Sequence, residues 1–124
     1  MAFNWGEYLT FAKNLYEKQD IDGITCSREA IDRCIVSRAY YAAFHHAKKY
    51  AEMNLHRPFP RDNVHQHVGN WFRNNNKNGI TNDLRELSKW RTDCDCDDDV
   101  ADLQIKIRSS IKSAGRIIHA LSLN

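Results

Sequence analysis

The chain has 124 residues, of which 42% are hydrophobic and 27% charged, the make-up of an ordinary globular protein with length for one modest core. No apolar run approaches the roughly eighteen residues that a transmembrane helix needs. Residues 1–8 lack the basic start and apolar stretch of a secretory leader, so a cytoplasmic protein is expected.

The net charge is only +2, but it is unevenly spread. Residues 28–78 hold nine Lys and Arg against four Asp and Glu, a net of +5; residues 79–102 hold three against eight, a net of −5. A basic middle suits a polyanion such as RNA, although the same charges can simply solvate helix faces.

Trp5, Tyr8, Leu9, Ala12, Leu15 and Tyr16 recur every three or four residues and predict a helix over 4–18. Residues 20–23, Asp-Ile-Asp-Gly, should break it. A long helix is predicted over 27–55, with Ser27 as its N-cap. A loop around Pro58 and Pro60 follows. A third helix starts near Asp62 and carries Val64, Val68, Trp71 and Phe72 on one face. The run from Asn74 to Gly79 should end it by turn chemistry. A fourth helix is predicted over 82–92 and a fifth over 98–121, with the aspartates near 98 at the positive end of its dipole. Five amphipathic helices on short turns predict an all-α, up-and-down bundle, one domain over 1–124.

The long helix has two apolar faces. With about 100° per residue, Val36, Tyr40, Ala43, Phe44, Ala47 and Ala51 share one side, the predicted core face. Ile31, Cys34, Ile35, Arg38, Tyr41, Ala42 and His45 share the other. Such a helix is either central in the bundle or covered by a partner. Arg38 and His45 interrupt the second face and point the same way, their Cα atoms roughly 10 Å apart. Arg holds phosphate oxygens bidentately and stays charged, and His moves protons near neutral pH. Together these are the two functions that metal-independent RNA cleavage requires.

The segment Ser37-Arg-Ala-Tyr-Tyr-Ala-Ala-Phe-His45 resembles the signature helix of HEPN-domain proteins, in particular the small stand-alone prokaryotic branch. His65 to Val68 followed by Phe72 resembles a second segment of that branch, and Arg91 to Cys96 a third, with Cys94 and Cys96 where the branch has Ala and Tyr. Trp5, Tyr8 and Leu9 suit its first helix. The resemblance implies a bundle of four to five helices and an Arg-x4–6-His endoribonuclease motif, matched here by Arg38 and His45. It also implies a homodimer in which Ile31, Cys34, Ile35 and Ala42 pack against a twin helix, RNA as substrate, and a nucleotidyltransferase-like antitoxin as partner. The function expected is thus a toxin or defence endoribonuclease. The alternative is a non-catalytic module that binds a nucleotide or works with the nucleotidyltransferase-like partner.

Tyr41, His46 and His65 are second-tier candidates around the pair. Tyr41 lies near the stripe, His46 is displaced from it by one residue's turn, and His65 comes from the third helix. Metal binding is not expected, because Cys94-x-Cys96 and His65-x-His67 lack zinc-site spacing. The acidic run 93–99 fails the calcium-loop pattern, with Asp98 where Gly is required and Gln104 where Glu is required. No cofactor is expected, and the four cysteines should be reduced thiols.

Overall fold

Five helices succeed one another: α1 (Gly6–Glu17), α2 (Arg28–Leu55), α3 (Val64–Asn74), α4 (Asn78–Cys96) and α5 (Leu103–Ala120). The computed structural model describes residues 3–18, 23 and 26–123, and no strand occurs among them. The fold is the all-α bundle that the periodicity predicts. The predicted break after α1 falls largely on residues 20–22, outside the described residues; Gly23 has φ +81°, a left-handed value open to glycine.

Three helix starts show a local cause. Asn4 Oδ1 accepts from the amide of Gly6, the first residue of α1, at 3.0 Å. Ser27 Oγ accepts from the Ala30 amide at 3.2 Å, the cap predicted for α2. Between α3 and α4, Asn76 turns left-handed at φ 62° and the Lys77 amide donates back to the Phe72 carbonyl at 2.8 Å. This turn is tighter than the predicted loop, so Asn78 and Gly79 open α4.

α2 is the central element and touches each of the other four helices. Its predicted core face is buried throughout. The second apolar face is only partly covered within the chain. Ile35 and Ala42, expected against a twin helix, are fully buried inside one chain. Ile35 clusters with Ala12 of α1 and Ile107 of α5, and Ala42 with Leu9 of α1. Cys34 remains exposed and Ile31 half-buried.

The acidic run differs from expectation. It does not begin α5; α4 continues through it to Cys96, and α5 begins only at Leu103, after Asp102 at φ 55°. Carboxylates at a helix C-terminus oppose the dipole. The compensation comes from α2, where Arg33 donates to the carbonyls of Cys94 (3.0 Å), Asp97 (2.6 Å) and Asp98 (2.8 Å). Arg28 does the same for α1, donating to the carbonyls of Leu15 (3.0 Å) and Lys18 (2.6 Å). Its Nε also bonds the buried Asp32 carboxylate, which accepts from Gln104 as well.

Arg33→Ala is expected to destabilise the protein by about 2 kcal/mol, the scale of losing charge-assisted hydrogen bonds. Arg33→Lys should recover little, since an ammonium cannot reproduce the guanidinium fork. Urea unfolding measures both; a loss below about 0.5 kcal/mol, ordinary for a surface change, would contradict this capping role.

Candidate functional site

The side chains of Arg38, Tyr41 and His45 form a half-exposed stripe along α2. Their spacing of three and four residues puts them on adjacent turns of one face. Trp5, just before α1, and Tyr8 of α1 border the stripe on one side. On the other side stand Arg91 of α4 and His65 of α3.

Arg38 is held by aromatic rings. Its guanidinium carbon lies 4.9 Å from the centre of the Tyr8 ring and 5.2 Å from that of Tyr41, within cation–π range. Nη2 reaches Ser37 Oγ at 3.3 Å, and Nε is buried with no hydrogen-bond partner. Among the described residues no carboxylate pairs with it. A half-buried cation without a counter-ion is costly to keep in a fold, and it leaves guanidinium donors available to an anion from outside.

His45 stacks on Trp5, with ring centres 3.8 Å apart and planes 18° apart. Phe44 meets it edge-on at 5.2 Å. Burial pushes the imidazole below its usual pKa, and the positive fields of Lys48 and His65 push the same way. His65 stacks on Phe44 at 4.2 Å, so the two histidines contact the same ring. Its pKa is also lowered, first by burial and then by Arg91. Tyr40 bonds His65 Nδ1 through its hydroxyl. Burial raises the Tyr40 phenol to about 12, against the opposing effects of a Ser88 hydrogen bond and Arg91. A phenol that stays protonated keeps a proton to share in its bonds to His65 Nδ1 and Ser88.

The structure therefore brings Arg38, Tyr41, His45 and His65 to one region. His46 goes elsewhere. It is buried, and its Nε2 donates to the Leu121 carbonyl at 2.6 Å, tying α2 to the end of α5. Its role is structural because the next position along a helix points about 100° away.

Arg91 is a member that the helical pattern alone did not single out. Its guanidinium carbon lies 5.3 Å from the Tyr40 ring centre and 5.7 Å from that of Tyr41, so Tyr41 is shared by two cations. Asp95 pairs with it at 3.3 Å, while its Nε is buried and unpartnered. Trp5 and Tyr8 were legible only as apolar stripe positions. Cys94 is buried at the α1–α2–α5 junction, and burial raises its thiol pKa, whereas Cys26, Cys34 and Cys96 are exposed free thiols. Among the described residues no three His, Cys, Asp or Glu side chains are grouped to hold a metal ion.

A scan against protein-family models finds no match, and searches of curated proteins and of solved structures find no significant one.

Chemically, the stripe offers a permanent cation beside an imidazole that is neutral at physiological pH. NMR titration is expected to place both His45 and His65 below 6.5. Trp5→Ala should move His45 upward by returning water to the ring. The unfolded chain binds more protons than the folded one across this range. Stability is therefore fully present above pH 6.5 and falls as pH drops through the folded-state values. Urea unfolding at stepped pH measures it; stability that rises on acidification through this window would contradict the assignment.

Proposed function

We propose that the chain is a metal-independent endoribonuclease of the HEPN type, working as a toxin or in defence within the cytoplasm. The observation that carries the reading is the stripe itself: Arg38, without a carboxylate partner among the described residues, beside a neutral, half-exposed His45. Arg38 binds the scissile phosphate and stabilises its developing charge. His45 removes the proton from the adjacent ribose 2′-hydroxyl. That oxygen attacks phosphorus, the bond to the 5′-oxygen breaks, and the products are a 2′,3′-cyclic phosphate and a 5′-hydroxyl end that takes up a proton. Tyr41 and His65 orient the phosphate on this reading. The resemblance of residues 37–45 to the HEPN signature supports the same chemistry. No helix among the described residues is long and apolar enough to cross a membrane.

On this proposal the active form is a homodimer, and a small nucleotidyltransferase-like protein is its antitoxin. The surface left for the second subunit is the half-exposed stripe with Cys34 at its end, since α1 already covers Ile35 and Ala42.

A second reading, a non-catalytic module that acts with such a partner, is favoured by one observation: Trp5 covers a face of the His45 ring. Cleavage separates the two. The wild-type protein is expected to cut single-stranded RNA in EDTA, and Arg38→Ala or His45→Ala should each lower the rate by about 10²–10⁴-fold. A mixture of the two variants regains activity if one subunit's Arg38 acts with the other's His45. RNA left intact by the wild-type protein, or cut by both variants at the wild-type rate, would overturn the nuclease reading.

A further inference from the structure

A second feature lies beside the stripe. α3 and α4 enclose an open groove of about 590 Å³, floored by Tyr40 and Phe44 of α2. Three cations line it: Arg73 from α3, and Arg85 and Lys89 from α4. Arg85 and Lys89 are one helical turn apart and so project in the same direction. Among the described residues none of the three has a carboxylate partner; Arg73 bonds only the amide oxygen of Asn70, at 3.4 Å. The one carboxylate on the groove wall, Asp93, lies 4.0 Å from Lys106. Like charges held together without counter-ions repel one another, and an anionic ligand relieves that repulsion.

The groove runs to the stripe. His65 lines it and also contacts Phe44, the ring shared with His45. Its apolar floor is sealed, Tyr40 being 1% and Phe44 3% exposed. The exposed large apolar side chains, Phe3, Phe11, Met53 and Ile105, all lie outside it. A protein partner anchors through apolar side chains, and this groove offers it none. Hydroxyls and cations suit a sugar–phosphate backbone.

We propose that the α3–α4 groove is a track for single-stranded RNA, in which Arg73, Arg85 and Lys89 hold backbone phosphates and guide the strand past His65 to Arg38 and His45. The inference rests on the nuclease reading for what happens at the far end, but its own content is binding. The test is fluorescence anisotropy with a short, labelled 2′-O-methyl RNA, which binds but lacks the nucleophile. Arg85→Gln/Lys89→Gln is expected to raise Kd about tenfold or more. It should also flatten the slope of log affinity against log salt by about 1.4, at roughly 0.7 per lost phosphate contact on a single strand. Arg108→Gln/Lys112→Gln removes the same charge from the exposed face of α5 and should change Kd much less. Equal effects of the two double variants, or none from the groove variant, would overturn the track. So would a poly-glutamate peptide that binds as tightly and with the same groove dependence, since the site would then read acidic protein. RNA bound through the groove but never cut by the unmodified protein leaves the track standing and removes the nuclease reading. Cutting with unchanged binding by the groove variant does the reverse.

Discussion

The burial of α2 on nearly all sides governs this structure. Ala39, Ala42, Ala43, Ala47 and Ala51 are all inaccessible to solvent, and small side chains let the neighbouring helices come close. Larger side chains, among them Tyr40, Phe44 and Ile35, fill the spaces that remain. The other helices are positioned by this contact, and two of them are also finished by it: Arg28 and Arg33, in the first turns of α2, cap the ends of α1 and α4. Between Ile35 and Ala47 only Arg38, Tyr41 and His45 escape full burial, and they form one stripe. An orphaned guanidinium nitrogen costs about 1–3 kcal/mol, and two occur here, on Arg38 and Arg91. A fold that keeps such groups at one place, where histidine pKa values are also displaced, has the physical marks of a working site.

Electrostatics links the stripe to the groove. Arg38 and Arg91 share the Tyr41 ring, and Arg91 also lowers the pKa of His65. His65 and Lys48 in turn lower that of His45. Burial is the larger cause of both shifts, and the positive charge around the two imidazoles adds to it, so that both rings favour the neutral form. On the proposed function the same arrangement readies a base and attracts a phosphate.

Much of the fold was legible in the sequence because it depends on local periodicity. The two faces of α2, the Ser27 cap and the existence of five helices all follow from residues within a few turns of one another. The acidic run was misplaced because what holds it is distant: Arg33 reaches Cys94 and Asp97 across 61 and 64 residues. The second face of α2 invited a twin helix because nothing local announces that α1 packs there. Counting charge by segment misled in both directions. Arg28 and Arg33 belong to the basic segment but are engaged in capping, while Arg85 and Lys89 sit in the net-acidic segment and face the groove. Their one-turn spacing was the available signal. The spacing of Arg38 and His45 places them on one face of α2, and the resemblance of residues 37–45 to the HEPN helix singled them out as a pair, whereas the bond from His46 to the Leu121 carbonyl has no local signal.

On the proposed function, His45 acts as a base beside a guanidinium that holds the phosphate. The most direct measurement is the single-turnover rate of RNA cleavage in EDTA across pH, for the wild-type protein, Trp5→Ala and His45→Ala. The expected outcome is an acidic-limb inflection below 6.5 for the wild-type protein, an inflection at higher pH for Trp5→Ala, and residual cleavage without that limb for His45→Ala. An identical rate and pH profile in His45→Ala would contradict it.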